Sequence, residues 1–266
     1  MNNNLKIAVA AHWEAETCGV RYGDEIEKLR YELEPYIPKF ADFGSAKGKR
    51  LLEIGVGAGV DFLNWIRAGS HATGVDLTNA AIKITKNRLN ENKISEHTYS
   101  LAAADAENLP FGNNEFEIVY SWGVLHHTPD TFRAFSEVFR ILKPGGEVRA
   151  MIYHVPSWTG LMLWVRHCLL KGKPFRGLKY AIYNHLESPG TKAYTVGEAR
   201  NFLQQIGFKN IHLRTTLCAG DLLTIKASKK YKSPIYKLIW ALYPRWLVRI
   251  LGNRFGLNLL IKATKP

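Results

Sequence analysis

The chain has 266 residues, of which 46% are hydrophobic and 22% are charged. This composition excludes a disordered chain and allows one large folded domain with a buried core. The formal net charge of +13 is unevenly placed: residues 148–186 hold six Lys or Arg, residues 222–266 hold ten, and neither segment has an acidic residue. The basicity is therefore a local surface property and not a property of the fold.

Cysteine usage and the N-terminus give no sign of export. Cys18, Cys168 and Cys218 are odd in number and form no C-x-x-C pair, which indicates buried, reduced thiols. The N-terminus lacks a basic and apolar signal pattern, and cations interrupt the oily stretches at residues 161–170 and 235–251. We therefore expect a cytoplasmic protein without a transmembrane helix.

The predicted elements begin with helices. To about Phe43 the pattern is charged and amphipathic, and it stops at the breakers Pro35 and Pro38. From Arg50 onward apolar runs alternate with helical ones, which is typical of βαβ units and a parallel sheet. Strands are predicted at residues 51–54, 72–75, 98–102, 116–120, 147–153, 211–217 and 257–263, and helices at residues 60–68 and 79–90, the second with Thr78 as N-cap.

The clearest predicted helix follows the fourth strand and ends at residues 143–146. Five apolar residues share one of its faces: Phe132, Phe135, Val138, Phe139 and Leu142. An irregular basic stretch follows the fifth strand, and then Thr195 and Glu198 match a capping box that opens a helix closed by Gly207. Residues 219–255 are expected to form an insertion between the last two strands, which otherwise make a hairpin.

A glycine-rich loop joins the first strand to the next helix. Residues 52–59 read Leu-Glu-Ile-Gly-Val-Gly-Ala-Gly, and glycines there allow a sharp turn and close approach of a ligand. Asp76 ends the second strand, 21 residues beyond Gly55, where a carboxylate can accept hydrogen bonds from both ribose hydroxyls of an adenosine. A dinucleotide-binding loop has glycine at position 60, but Val60 follows Gly59 here, which argues for a ligand without pyrophosphate. A tight turn without a ligand is the alternative for the loop alone.

Three further motifs occur in chain order. They read Ala-Asp-Ala-Glu-Asn-Leu-Pro-Phe at residues 104–111, Ser-Trp-Gly-Val-Leu-His-His at 121–127, and Arg-Ile-Leu-Lys-Pro-Gly-Gly at 140–146. With the glycine loop, they make residues 50–154 similar to the class I S-adenosylmethionine-dependent methyltransferases, especially the small-molecule group called methyltransferase type 11. The resemblance implies an α/β, Rossmann-like sheet of seven mostly parallel strands, the last antiparallel, with helices on both faces. It also implies S-adenosylmethionine as cofactor, bound by Glu53, Gly55, Gly57, Gly59, Asp76, Leu77, Asp105, Ala106 and Ser121.

Catalytic candidates lie where parallel strands end. Methyl transfer from a sulfonium is an in-line displacement, so positioning of the nucleophile can supply most of the acceleration. Where the acceptor must lose a proton, a neutral histidine is a suitable base. His126 and His127 follow the fourth strand, and Tyr153 and His154 stand at the end of the fifth, at the edge where such sheets bind ligands. A histidine that only caps a backbone group is the alternative.

Two flanking segments are candidates for covering the site. His12, Trp13 and Tyr22 are expected in a lid over the cofactor, with core packing as the alternative for Trp13. The polar turn at residues 186–194 stands where the resemblance implies substrate-recognition residues, and an ordinary Pro-Gly surface loop is the alternative. No His, Cys or carboxylate cluster has metal-ligand spacing, so we expect no metal.

The basic segments indicate a partner surface. Residues 226–254 mix apolar and aromatic residues with cations, which is typical of a helix in the interface of an anionic membrane, and residues 161–171 would add a second contact. The alternative is that both stretches cover the protein's own core or a dimer interface. Nucleic acid is the rival partner. The N/D-P-P-Y/F tetrapeptide of many amino-methylating nucleic-acid enzymes is absent, since residues 121–124 stand in its place, and no RNA-binding module is visible.

The chain is therefore expected to have three parts: an N-terminal helical lid (residues 1–43), a class I methyltransferase domain (44–218 and 256–266) and a basic amphipathic insertion (219–255). The expected protein is a cytoplasmic enzyme that methylates a small or lipid-like acceptor, with the inner membrane face as the surface on which it would rest. A tRNA or other nucleic-acid methyltransferase is the first alternative. A catalytically silent S-adenosylmethionine-binding protein is the second, and the intact glycine loop and ribose acid argue against it.

Overall fold

The computed structural model describes residues 2–15, 25–224 and 241–266. Within these ranges seven strands form a single sheet with the order β3-β2-β1-β4-β5-β7-β6. The strands are β1 (Arg50–Ile54), β2 (His71–Asp76), β3 (Tyr99–Ala103), β4 (Phe116–Trp122), β5 (Leu142–Tyr153), β6 (Lys209–Thr216) and β7 (Asn258–Thr264). Strands β1 to β5 pair in parallel, and β7 runs antiparallel to both β5 and β6. This confirms the expected Rossmann-like α/β fold.

Helices surround the sheet. They are α1 (Asn2–Ala15), α2 (Ile26–Leu33), α3 (Ile37–Ala41), α4 (Val60–Arg67), α5 (Asn79–Glu91), α6 (Thr131–Ile141), α7 (Trp158–His167), α8 (Leu178–His185), α9 (Val196–Ile206) and α10 (Arg245–Leu251). Short 3-10 turns occur at Phe43–Ala46, Glu96–Thr98, Leu169–Lys171 and Asn253–Phe255. In the described ranges no helix has the length and apolar character needed to cross a bilayer.

The central strands are apolar on both faces because both faces are covered. In β1, Leu51 packs in a cluster with Trp65 of α4, whereas its neighbour Leu52 packs in a cluster with Phe135 of α6. Successive side chains of a strand point to opposite faces, so these two clusters lie on opposite sides of the sheet. The alternation of apolar runs with helical ones in the sequence reflects this three-layer arrangement.

Local signals in the sequence place several helix ends. Thr78 caps α5, where its side chain accepts a hydrogen bond from the backbone N–H of Ala81. Thr195 and Glu198 form the predicted capping box of α9, and Gly207 ends that helix with a left-handed φ of 113°. These two predictions of helix ends are confirmed. The predicted helix after β4 is α6, but its predicted face is only partly correct: Phe135 and Val138 are buried, whereas Phe132 is 45% exposed and Leu142 belongs to β5, as do residues 143–146, which were predicted to end the helix.

Two further local predictions are wrong. The stretch after β5 contains two helices, α7 and α8, instead of an irregular segment, and Ser157 caps α7 by accepting from the N–H of Gly160. Pro38 does not act as a breaker, because it lies in the first turn of α3, where a helix needs no backbone N–H.

Some predicted features fall outside the described residues. These are Cys18, the lid candidate Tyr22, and residues 225–240 of the expected basic insertion. Cys168 and Cys218 are described, and both are buried and free.

Candidate active site

The glycine loop makes a turn that only glycine fits. Gly55, Gly57 and Gly59 have φ values of 84°, 52° and 75°, a region that side chains with a Cβ atom rarely adopt. A Cβ atom added to Gly55 would lie 2.1 Å from Cγ2 of Val124, and one added to Gly59 would lie 2.9 Å from Cγ2 of Thr85. The bare backbone of this loop therefore lies between β1 and α4 at the carboxyl edge of the sheet, open to close approach by a ligand.

Asp76 holds its place beside this loop through hydrogen bonds. One carboxylate oxygen accepts from the backbone N–H of Gly57 at 3.1 Å, and the other accepts from the N–H and hydroxyl of Thr78 at 3.0 Å. Burial raises the pKa of Asp76, although the hydrogen bonds from Thr78 and Gly57 oppose that shift. The carboxylate is thus fixed at the end of β2, next to the glycine turn.

Glu53 is a buried acid with an unsatisfied oxygen. It is only 3% exposed, and within the described part of the chain its Oε2 has no hydrogen-bond partner. Burial raises its pKa well above the usual value, and the neighbouring Asp61 and Asp76 raise it further, against the lowering effect of Arg30. An unpaired buried carboxyl is costly, so a donor or cation from a ligand would be favourable there.

A buried network behind the loop was not found from the sequence. Asp61, in the first turn of α4, accepts hydrogen bonds from Arg30 Nε at 2.7 Å, Tyr31 at 2.9 Å and Tyr120 at 2.8 Å. Burial alone would raise the pKa of Asp61, but Arg30 and these hydrogen bonds hold it below the usual value. An acid inside an apolar helix start was the only sequence signal. The network ties α2 to the helix that begins at the glycine loop.

The loop after β3 is covered by α1. Lys6 of α1 places its Nζ 2.5 Å from Oδ2 of Asp105 and 2.7 Å from Oε2 of Glu107. The other oxygen of Asp105 accepts from the N–H of Glu107 at 2.9 Å. Ala106 between them is buried, and Leu77 after β2 is 36% exposed. The acid predicted near the adenine is therefore in contact with the N-terminal helix.

Ser121 has a fixed position near the glycine loop. Its side chain is fully buried, and the hydroxyl donates to the carbonyl of Ile54 at 3.0 Å. This hydrogen bond connects β4 to the end of β1. Because the hydroxyl hydrogen of Ser121 is donated in this bond, the Ser121 oxygen can only accept further hydrogen bonds.

The three candidate histidines have different surroundings. His126 is fully buried, neither of its ring nitrogens has a partner among the described residues, and burial lowers its pKa well below the usual value. His154 is 4% exposed and bonds through Nδ1 to the carbonyl of Gly256 at 2.9 Å; burial lowers its pKa despite that carbonyl. His127 is 4% exposed, and its Nδ1 lies 2.8 Å from the Ser188 hydroxyl. His154 thus has a structural partner, whereas His127 faces the predicted recognition loop.

Residues from α1, β5 and the loop at residues 186–194 lie near His127. The ring of Trp13, in α1, lies 5.3 Å from the ring of His127, and the ring of Tyr153 lies 5.9 Å from it. Tyr153 donates its hydroxyl hydrogen to Glu187, in the loop at residues 186–194, at 2.7 Å. Sequence reasoning identified this loop as a recognition candidate, but it did not single out Glu187.

The geometry therefore joins two half-sites at one edge of the sheet. The glycine loop, Glu53 and Asp76 can hold a cationic, adenosine-type ligand. His127, Tyr153 and Glu187 form a polar, aromatic corner beside it that can move a proton. Among the described residues no group of three or more His, Cys, Asp or Glu comes together as a metal site.

Comparison with known proteins gives a family for this region. Residues 52–150 match the family model of a methyltransferase domain. The chain is 37% identical over 118 residues to phosphoethanolamine N-methyltransferase 2 of Caenorhabditis elegans, a match that covers 44% of this chain and 26% of that protein. It is 21% identical over 221 residues to demethylmenaquinone methyltransferase of Lactiplantibacillus plantarum, covering 80% and 84% of the two chains.

A solved structure shows the same fold. Haemonchus contortus phosphoethanolamine N-methyltransferase 2, in complex with phosphomonomethylethanolamine and S-adenosylhomocysteine, superposes with a TM-score of 0.63 at 20% identity, covering 97% of this chain and 60% of that one. This chain thus spans about a quarter of the Caenorhabditis enzyme but most of the Lactiplantibacillus enzyme.

Proposed function

We propose that the protein transfers the sulfonium methyl group of S-adenosylmethionine to a small or lipid-like acceptor, a proposal supported by the match of residues 52–150 to a methyltransferase domain and by the methyltransferases described above. The observation that carries the proposal is the pairing of a glycine-only turn with two acids. Glu53 and Asp76 stand on neighbouring strands at the same edge, one with an unsatisfied buried oxygen and the other fixed beside Gly57.

The cofactor contacts follow from these surroundings. We assign Glu53 to the ammonium group of the methionine part, because a cation would satisfy its buried oxygen. Asp76 is assigned to the ribose hydroxyls, since its carboxylate is held in place by backbone donors. Asp105 accepts hydrogen bonds from Lys6 and from the N–H of Glu107. A carboxylate has about four lone pairs, so Asp105 can also accept a hydrogen bond from the adenine amino group. The remaining proposed contacts are Gly55, Gly57, Gly59, Leu77, Ala106 and Ser121.

The methyl transfer depends mainly on the alignment of the acceptor with the methyl carbon. The acceptor attacks the methyl carbon on the side opposite the sulfur, and fixing the two reactants in line removes most of the entropic barrier. A proton lost by the acceptor can pass to a histidine at the mouth of the site. Of the four candidates, His127 is best placed, because His154 bonds to the carbonyl of Gly256 and His126 is sealed between its neighbours.

The acceptor class rests on the relatives and on the apolar walls. The relatives described above act on phosphoethanolamine and demethylmenaquinone, the first a small molecule and the second a lipid-like quinone. In this chain, Trp13, Tyr153 and His126 supply aromatic rings around His127. A small or lipid-like molecule with one polar group fits such a corner better than a nucleic acid does.

An anionic membrane is the proposed resting surface. On and beside α10, Leu242, Trp246 and Ile250 follow each other at four-residue intervals and are 72%, 65% and 73% exposed. Arg249 lies exposed next to them, and no acid occurs from residue 222 to the end of the chain. A large exposed apolar row with flanking cations matches the interface of anionic lipids.

A second exposed segment has the same character. Leu170 and Phe175 are 73% and 102% exposed, and the cations between and after them, Lys171, Lys173 and Arg176, are exposed as well. Trp158, at the start of α7, packs on Phe255 just after α10, so the helix that leads to this segment begins beside α10. Nucleic-acid phosphates would pair with the cations but would leave the apolar row in water.

Flotation with vesicles separates these partners. We expect binding to vesicles that contain phosphatidylglycerol and none to pure phosphatidylcholine. Replacing Trp246 and Ile250 together with serine should lower that binding at least about tenfold, since both lose apolar burial. The control is Phe132→Ser, because Phe132 is 45% exposed on a different helix. Salt-dependent tRNA binding without vesicle binding would instead support the nucleic-acid alternative.

The activity itself is tested with S-adenosylmethionine labelled in the methyl group. The purified protein is incubated with three fractions of cells: organic-solvent extract, small water-soluble molecules and tRNA. We expect label in one of the first two fractions, and loss of that transfer in Asp76→Asn. Label only in tRNA would contradict the acceptor class, and no transfer to any fraction would favour the catalytically silent alternative.

A further inference from the structure

The loop between α8 and α9 is built around one histidine. Ser188 and Thr191 are 1% and 0% exposed, so the loop is not an ordinary surface turn. Their hydroxyl oxygens lie 2.8 Å and 3.1 Å from Nδ1 of His127. Two buried hydroxyls thus face a single ring nitrogen, and the directions of their hydrogens affect which tautomer of the His127 ring is stable.

The hydroxyl protons favour one tautomer of His127. Thr191 donates its hydroxyl hydrogen to the carbonyl of Ser188 at 2.7 Å, so lone pairs of Thr191 face Nδ1. A hydrogen on Nδ1 is then shared between the two oxygens, whereas a bare Nδ1 would oppose the lone pairs of Thr191. We assign the hydrogen of the neutral ring to Nδ1, where the Ser188 and Thr191 oxygens accept it while the Ser188 hydroxyl hydrogen turns towards Thr191 at 3.4 Å, and this leaves the lone pair of Nε2 available.

A carboxylate stands at the other nitrogen. Nε2 of His127 is buried and makes no hydrogen bond within the described residues, and Oε2 of Glu187 lies 3.5 Å from it. The hydroxyl of Tyr153 donates to that same oxygen. Glu187 also has a φ of 51°, in the left-handed region that a glutamate rarely adopts. Because Glu187 adopts this unfavourable backbone conformation next to Nε2 of His127, we expect Glu187 to have a role in the site.

Building on the proposed function, we propose that Glu187 is a positioning residue that acts through Nε2 of His127, and that the acceptor presents a hydroxyl or ammonium proton to this nitrogen. For a hydroxyl acceptor, the oxygen forms a bond to the methyl carbon while the carbon–sulfur bond breaks and its electron pair stays on sulfur. The hydroxyl proton moves to Nε2. The imidazolium that results is stabilised by the Glu187 carboxylate and later returns the proton to water.

Other ionisable groups around His127 fit this assignment. They are His126 in the same segment, Tyr153 in β5, Lys192 in the recognition loop and His12 next to Trp13 in α1. Burial lowers the pKa of His126 well below its usual value, with His127 and Lys192 adding to the effect, so His126 stays neutral and does not compete for the proton. The hydroxyl of Tyr153 donates its hydrogen to Glu187.

Nitrogen NMR of histidine-labelled protein tests the assignment. The probe is the protein saturated with S-adenosylhomocysteine, with the His127 signals identified from His127→Gln. We expect the neutral ring to carry its hydrogen on Nδ1. In Glu187→Gln the Nε2 signal should move upfield, because an amide N–H can donate to the lone pair of Nε2 whereas a carboxylate cannot. Thr191→Val, which removes one oxygen from Nδ1, should raise the share of the other tautomer.

The controls separate this inference from the proposed function. Glu96→Gln removes a carboxylate that pairs with Lys86 outside the site, and it should leave the His127 signals unchanged. If S-adenosylhomocysteine binds but the wild-type ring carries its hydrogen on Nε2, or Glu187→Gln leaves the Nε2 signal unchanged, the role of Glu187 is wrong while the proposed function stands. Failure to bind S-adenosylhomocysteine at all would remove the basis of both.

Discussion

Replacing Gly55 with alanine places a new Cβ atom 2.1 Å from Cγ2 of Val124 and forces a side chain onto a φ of 84°. The left-handed backbone costs about 1–2 kcal/mol and the overpacking about 1–3 kcal/mol, so the free energy of unfolding should fall by about 2–5 kcal/mol. The loop must also move away from Val124, and S-adenosylmethionine affinity should drop about tenfold or more, which corresponds to roughly 1.4 kcal/mol. Urea unfolding and calorimetric titration measure the two effects.

A matched control isolates the close approach from the backbone strain. Gly145 has a similar φ of 78°, but a Cβ atom there would meet nothing within 4 Å. Gly145→Ala should therefore cost only the backbone term, about 1–2 kcal/mol, and leave cofactor affinity unchanged. Adding Val124→Ala to Gly55→Ala removes the methyl groups at 2.1 and 3.0 Å and should recover part of the loss. Equal losses of stability and unchanged affinity in both alanine variants would refute this reasoning.

Three further predictions concern charges near the site. Burial raises the pKa of Glu53, whereas a bound ammonium would favour its ionised form. Cofactor binding should therefore release a proton, and the affinity should increase as pH rises to that pKa. Calorimetry in two buffers measures the proton release, which Glu53→Gln should abolish. Arg30→Met should destabilise the fold by about 3 kcal/mol, because it leaves the buried Asp61 carboxylate without its cation. Asp61 then prefers its neutral form, so the stability of the variant should rise as pH falls, whereas the wild type loses stability as pH falls through the lowered pKa of Asp61. Unchanged urea unfolding curves would contradict this. Lys6→Ala removes a cation that is 27% exposed from both Asp105 and Glu107, so global stability should fall by about 1 kcal/mol while amide exchange in α1 accelerates.

Most of the sheet could be predicted because its signals are local. An apolar run buried on both faces, a cap such as Thr78 and a closing glycine such as Gly207 each show in a few consecutive residues. The antiparallel pairing of β7 came from the resemblance, and the structure confirms it. The two helices after β5 were missed although α7 has a local cap in Ser157; its first turn is also held by a distant residue, since Asp221 accepts the N–H and hydroxyl of Thr159.

In the candidate site too, residues close together in the chain could be predicted, whereas contacts between distant residues could not. The glycine loop and Asp76 belong to one βαβ unit, so their spacing in the chain reflects their spacing in space. Glu187 meets Tyr153 across 34 residues, and Arg30 meets Asp61 across 31, through packing that no short pattern encodes. Polar residues of this kind can be recognised from sequence only as acids or cations in unusual places, as Asp61 is at the start of an apolar helix.

The central claim is that the glycine turn and the two acids hold S-adenosylmethionine, and calorimetric titration tests it most directly. The account predicts saturable one-to-one binding of S-adenosylmethionine and of S-adenosylhomocysteine, much weaker binding of NAD, and a clear loss of affinity in Asp76→Ala. Absence of binding by either sulfur nucleoside, or an affinity that Asp76→Ala leaves unchanged, would contradict it.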